Sequence, residues 1–172
     1  GFRVPTINEL YRVFRVRNDV TVANEHLKPE RLTGGEIGVE QRWGPFTGRA
    51  TAFWNEVEDL IANVTLVNRL PDCPVGTTCR QRQNLDRARI RGFETELEVR
   101  PARDWTIIAG YIFTDATVRE APQQLALEGK RLAQVPRHGG SVTVRYDNPT
   151  LFTAAATVRF VGSAEDFGDV GK

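Results

Sequence analysis

From residue 33 onward apolar and polar side chains alternate along the chain, the period of two that a strand with unlike faces imposes; the 3.6-residue period of a helix is nearly absent. The clearest run is 90–100, where Phe93, Thr95, Leu97 and Val99 share one side and Glu94, Glu96 and Glu98 the other. Three carboxylates in a row cannot enter a dry core without a large desolvation cost, so that side must meet water or basic partners. The same reading predicts five further strands. Segment 36–43 sets Ile37, Val39 and Trp43 against Glu36, Glu40 and Arg42, and 47–57 sets Ala50, Ala52 and Trp54 against Arg49, Thr51 and Asn55. Segment 105–115 aligns Trp105, Ile107, Ala109, Tyr111 and Phe113. In 141–146, Val142, Val144 and Tyr146 oppose Thr143 and Arg145, and in 152–161, Phe152, Ala154, Ala156, Val158 and Phe160 oppose Thr153, Thr157 and Arg159.

The connections are of two kinds. Gly44 with Pro45, residues 101–104 and residues 147–149 are short and rich in Pro, Gly, Asn and Asp, as tight turns require. Residues 60–86 and 116–140 are several times longer than the usual connection of about 4 to 6 residues. Short turns alternating with long loops are the habit of antiparallel barrels in outer membranes. Aromatic placement agrees: Trp43, Phe46, Trp105, Tyr146 and Phe152 flank the three tight turns, while Trp54, Tyr111, Phe113 and Phe160 lie several residues up the strands. Two girdles bounding an apolar band about 25 Å tall account for both sets. The fold class expected is all-β, an antiparallel up-and-down sheet of about six strands forming part of a transmembrane barrel, with 1–32 leading into the first strand.

Composition narrows the partners. The 172 residues carry 23 Lys plus Arg against 22 Asp plus Glu, so a net charge of +1 gives no ground for nucleic-acid binding. No apolar run approaches the roughly 20 residues of a spanning helix. Gly1 is not followed by a basic and then apolar leader and no methionine occurs, so the chain reads as an excised piece. Cys73 and Cys79, in a Pro-, Gly- and Thr-rich stretch, suit a small disulfide-closed loop in an oxidising compartment; two free thiols are the plainer alternative.

Several strings carry a resemblance. Gly1 through Tyr11, Gly-Phe-Arg-Val-Pro-Thr-Ile-Asn-Glu-Leu-Tyr, resembles the Gly-Phe-Arg-x-Pro-x-x-x-Glu-Leu-Tyr signature of TonB-dependent receptors. Asn-Glu-His-Leu-Lys-Pro-Glu at 24–30 is similar to that family's Asn-Pro-x-Leu-Lys-Pro-Glu, with Glu25 where proline is usual. Phe53-Trp54-Asn55 ending in Leu60-Ile61, then Asn84 and Arg91-Gly92-Phe93-Glu94, follow in family order. The resemblance implies an outer-membrane barrel of roughly 22 strands, closed by a plug domain and energised through TonB for uptake of a scarce nutrient such as a ferric siderophore. The implied partners are the plug of the full-length chain, the TonB complex, outer-membrane lipids and a small nutrient ligand. Plug, energy-coupling box and aromatic C-terminal residue are not in this stretch.

Chemistry adds little. His26 and His138 have no nucleophile at motif spacing, so no enzyme and no cofactor is expected. Cys73, Cys79, His26 and His138 have the ligand count of a zinc site but not its paired spacings. Glu36, Glu40, Glu94, Glu96 and Glu98, with Arg42, Arg49, Arg145 and Arg159, read as charges lining a wet lumen and pairing with one another or with the plug. Arg87, Arg89 and Arg91, at the end of a basic run that includes Arg80 and Arg82, reach the outer rim on the apolar parity. There they are candidates for lipopolysaccharide phosphates, or a solvated strand end. In the receptor reading the cysteine loop is extracellular and ligand-exposed. The alternative function is a soluble, secreted β-sandwich binding module, whose strands alternate in the same way.

Overall fold

A computed structural model describes residues 1–66 and 70–165. Six long strands form one antiparallel meander: β4 (Glu30–Trp43), β5 (Phe46–Thr65), β6 (Thr78–Ala102), β7 (Trp105–Glu120), β8 (His138–Asn148) and β9 (Phe152–Val161), each paired with the next. Ahead of them come β1 (Phe2–Arg3), a single helical turn α1 (Ile7–Tyr11), β2 (Phe14–Val16) and β3 (Asp19–Val22). The three tight turns gather at one end of the sheet, and the other end carries the long connections and the strap of residues 1–29.

Register divides the sheet into two faces, because cross-strand partners point the same way. Ile37 pairs with Ala52, Ala52 with Phe93, Phe93 with Phe113; Leu97 meets Ala109, Ala109 meets Val142, and Val142 meets Val158. On the opposite face Glu40 pairs with Arg49, Arg49 with Glu96, and Ser141 with Arg159. Every strand face read from the alternation is found. At the first turn Trp43 pairs with Phe46 across Gly44-Pro45, and the positive φ of Gly44 (58°) is what a two-residue II′ hairpin demands at its first position.

Extents differ from expectation. Residues 60–86 are not one loop: β5 and β6 stay paired out to Thr65 and Arg80, so the connection spans only from Thr65 to Thr78. Likewise β7 runs to Glu120, β8 starts at His138, and β4 begins at Glu30. A tilted strand needs about 9 to 11 residues to cross an apolar band. The 20 residues of β5 and 25 of β6 therefore stand well beyond it. The ladder needs only backbone partners, so it continues where the period-two signal fades.

The only well-buried side chains among the described residues lie toward the loop end. Val64, Leu85, Val118, Ala121 and Leu127 form one cluster, sealed by the returning chain between β7 and β8, whose Leu132 N–H bonds to Ala116 O and whose Gly129 N–H bonds to Val118 O. Val20, Val22, Cys73 and Cys79 form the other. In the wall itself apolar side chains stay open: Ile37 is 77 % and Val158 73 % exposed.

Candidate functional site: the clasped strap, the charged face and the rim

The strap is too short of regular structure to hold itself, since an isolated five-residue helix has no stability in water. Thr6 caps α1 in a full capping box: its Oγ1 accepts from Glu9 N–H, and its own N–H donates to Glu9 Oε2 at 2.8 Å. Arg3 then holds both ends together. Its guanidinium donates to Glu30 in a bidentate pair, 2.6 and 2.9 Å, and to Glu9 at 3.0 Å. Glu30 also accepts the Ile61 N–H at 2.7 Å, so one carboxylate ties the strap to β5. Burial acts to raise the Glu9 and Glu30 carboxyls, but the hydrogen bonds from Thr6 and Arg3 to Glu9, and from Arg3 and Ile61 to Glu30, outweigh it. Both sit below the ordinary value of 4.5.

Asn84 completes the clasp. Its Oδ1 accepts from Lys28 N–H (2.8 Å) while its Nδ2 donates to Lys28 O (3.0 Å) and Asp59 O (2.6 Å), so one amide pairs with a strap peptide as a strand would. Asp59 presents that carbonyl from a left-handed conformation, φ 54°. Nearby, Asn24 Nδ2 donates to Arg82 O at 2.8 Å. The family-like strings at 1–11, 24–30, 53–61 and 84–94 are thus one spatial cluster. Sequence reasoning named these residues only through resemblance and missed their contact, which depends on chain separations of up to 58 residues.

Cys73 and Cys79 are joined, with their Cα atoms 5.7 Å apart. That removes both as metal ligands, and the described residues contain no group of His, Cys, Asp and Glu suited to a metal ion. The two bonded cysteines are themselves covered. Cys79 is the partner of Val20 in the parallel pairing of β3 with β6, and the two cysteines, 6 % and 3 % exposed, pack with Val20 and Val22; the tip is Val75, 94 % exposed. The disulfide therefore backs the seat of the strap. Replacing both cysteines by serine is expected to weaken that seat by roughly 2 kcal/mol through loop entropy alone. Faster hydrogen exchange at the β3 amides than in the β4–β5 ladder is the check.

On the charged face Arg49 bridges two strands, its Nε 2.8 Å from Glu40 and its Nη1 bonded to Glu96. Arg42 also meets Glu40, at 3.1 Å, and Arg145 is paired to Asp147. Arg100 holds Glu98 at 2.8 Å, and Thr143 and Thr157 hydroxyls bond across β8 and β9 at 2.9 Å. Glu94, Glu96, Arg49 and Arg159 line a shallow hollow of about 510 Å³ there, with Glu36 farther toward the loop end opposite Phe53. The sequence grouped these charges correctly by face, but their pairing follows from register.

The basic run proves to be interleaved with acid. Arg87 pairs with Glu120 (3.0 Å), Arg89 with Glu56 (2.6 Å) and Arg91 with Asp115 (3.1 Å), all on strands flanking β6. The Arg89 guanidinium also lies 4.9 Å from the Trp54 ring, whose Nε1 donates to Glu56. Arg137, which sequence reasoning passed over, reaches the same rim and lies 5.4 Å from the Phe113 ring.

Residues 1–171 match the family model described as TonB dependent receptor-like, beta-barrel. No curated protein matches. Among solved structures the chain is similar to the copper transporter OprC, at 20 % identity and TM-score 0.69 over 99 % of this chain and 24 % of that one. It is also similar to the siderophore receptor PirA from Pseudomonas aeruginosa (16 % identity, TM-score 0.68, 94 % of this chain and 29 % of that one). A mutant of the ferric enterobactin receptor PfeA from Pseudomonas aeruginosa, in complex with enterobactin, aligns at 18 % identity and TM-score 0.60, covering 86 % of this chain and 21 % of that one. The chain spans less than a third of the length of these structures, and at such identities the likeness speaks for the fold. The chain belongs to the TonB-dependent receptor family, and it forms part of that family's β-barrel.

Proposed function

We propose that the chain is a section of the wall and of the extracellular end of an outer-membrane receptor that takes up a scarce nutrient, a ferric siderophore or a similar metal-bearing ligand, with energy supplied through TonB. One observation carries the reading: six consecutive strands keep an apolar face uncovered from the turn end up to the level of Phe93 and Phe113, and the charges of that span lie on the other face. Lipid is the solvent that such a face requires, and the charged face then lines the lumen, where it meets the plug of the full-length chain. The strap and the disulfide-backed seat become extracellular structure. A secreted sandwich would bury its apolar face beneath a second sheet, yet Ile37 and Val158 stand open. Neighbours named for copper, siderophore and ferric enterobactin support a metal-bearing cargo. In this role the segment supplies wall and entrance rather than reactive groups.

Deleting the full-length gene and restoring it in an iron-restricted strain tests the proposal against a panel of ferric siderophores and copper chelates. Growth or uptake on one of them should depend on both the gene and an intact TonB. A receptor recovered in the soluble fraction, or uptake of every panel member untouched by the deletion, would sink it.

A further inference from the structure

The β2–β3 hairpin of the strap projects beyond the seat that holds it. β3 is fixed along β6 through Val20 and Val22, which are buried with the disulfide, and Asn18 O accepts the Thr78 N–H at 2.8 Å. Among the described residues β2 is paired on one side only, and every residue from Tyr11 to Asn18 is exposed. In that stretch stand Arg12, Arg15 and Arg17, with Tyr11 and Phe14, 62 % and 52 % exposed, among them. None of the three arginines meets a carboxylate among the described residues; Arg15 spends only its Nε, on the Arg17 carbonyl at 3.1 Å. The acids of the strap are largely engaged, since Glu9 and Glu30 hold Arg3, and Asp19 holds Arg80 at 3.3 Å. Glu25 and Asp72 are exposed, and with both counted, residues 1–30 and 70–82 still carry seven Arg and Lys against five Asp and Glu. Arg17 takes the left-handed backbone region, φ 52°, although Asn18, of a type that adopts it more readily, stands next to it. Any charge guards an edge strand against unwanted pairing, but a guanidinium placed on a strained turn favours a use for that group.

We propose that this hairpin captures an anionic cargo, a metal chelate whose ligand oxygens leave it with net negative charge, and steers it to the barrel mouth. The capture site rests on the uptake reading above and deepens it by fixing the sign of the cargo's charge. Guanidinium groups suit an oxygen-rich anion because each presents paired N–H donors, and the exposed rings of Tyr11 and Phe14 offer flat apolar contact beside them. Because the arginines are exposed, their attraction acts through water and over distance. It therefore raises the rate of encounter more than the lifetime of the complex. The seat on β6 keeps the three charges in place before the cargo arrives, so little order has to be gained on binding.

The test takes the chelate identified by the uptake panel and the purified full-length receptor in detergent micelles, with association followed by stopped-flow fluorescence. The panel member whose uptake depends on the gene should be an anion, such as a ferric tris-catecholate, and not a neutral ferric tris-hydroxamate. Its association rate should drop about tenfold between about 0.01 M and about 0.15 M salt, as the screening length shrinks from about 30 Å to about 8 Å. Arg12→Gln, Arg15→Gln and Arg17→Gln together should slow association about tenfold at the lower salt, flatten the salt dependence and leave the dissociation rate unchanged. Arg12→Lys, Arg15→Lys and Arg17→Lys together keep the charge and should keep the parent rate, as should Arg103→Gln at the turn end of the sheet. A neutral or cationic cargo, an association rate indifferent to salt, a glutamine triple that binds at the parent rate, or a lysine triple as slow as the glutamine one would each overturn the capture site while the receptor reading stands. Uptake of every panel member untouched by the deletion would overturn both.

Discussion

Replacing Gly92 with alanine should destabilise the wall by about 3 kcal/mol, at the upper end of what overpacking costs in a filled interior. The reason is the closeness of β6 to β7 at this point. A Cβ on Gly92 would lie 1.9 Å from the carbonyl oxygen of Phe113 and 2.8 Å from the Cζ of Phe53. Phe53 is the cross-strand partner of Gly92, and its ring covers the glycine, an aromatic filling space that the missing side chain leaves. A flexible side chain could retreat from an added methyl group, but a backbone carbonyl in a ladder cannot. The strands must part and lose hydrogen bonds at mid-sheet. Gly35 provides the control, since a Cβ there meets nothing within 4 Å. The urea midpoint of the full-length receptor refolded into micelles should fall for Gly92→Ala and stay within about 0.5 kcal/mol of the parent for Gly35→Ala. Equal behaviour of the two variants would mean that the close approach at Gly92 is not part of the fold in solution.

The parts of this fold that could be read from the chain are those where two solvents impose a rule. Between Glu36 and Trp43, or between Phe93 and Val99, each side chain faces either an apolar medium or water, so alternation is enforced and legible. At 60–65 and 78–86 that rule lapses. Leu60-Ile61-Ala62-Asn63-Val64-Thr65 has no clean period, yet it pairs with β6 to the end because the ladder needs only backbone partners. The cysteines were legible as a pair from their spacing; their burial was not, because the cover comes from Val20 and Val22, more than fifty residues upstream. The arginines at 87, 89 and 91 looked like an open basic run because Glu56, Asp115 and Glu120 belong to other strands, and only register brings them alongside. Resemblance singled out Arg3, Glu9, Glu30 and Asn84 without saying that they touch.

That contact makes the strap sensitive to acid, and in a direction that one substitution should reverse. Glu9 and Glu30 hold their carboxyls below 4.5 although burial pushes both upward, because Arg3, Thr6 and the Ile61 N–H favour the ionised forms. A depressed carboxyl contributes stability that is complete above the unfolded-state pKa and drains away as pH falls through the lower folded-state value. The strap should therefore be firmly seated at neutral pH and should loosen below pH about 4.5. All three groups lie toward the loop end, outside the span of strand that the apolar band requires. Arg3→Gln removes the shared cation and leaves two carboxylates, 16 % and 13 % exposed, in mutual repulsion. Breaking a fully buried pair costs about 3 to 5 kcal/mol; with Arg3 itself 44 % exposed, water screens part of this, and about 2 to 3 kcal/mol is expected. In the variant protonation relieves the repulsion, so the strap is weakest at neutral pH and gains as the pH falls toward 5. Hydrogen exchange of residues 7–11 and 30–32 at pH 7, 5 and 4, corrected for the intrinsic rate, measures both curves. A variant whose protection still peaks at neutral pH would show that the strap is held by β1 and β3 pairing alone, and that the ionic clasp contributes nothing to its seat.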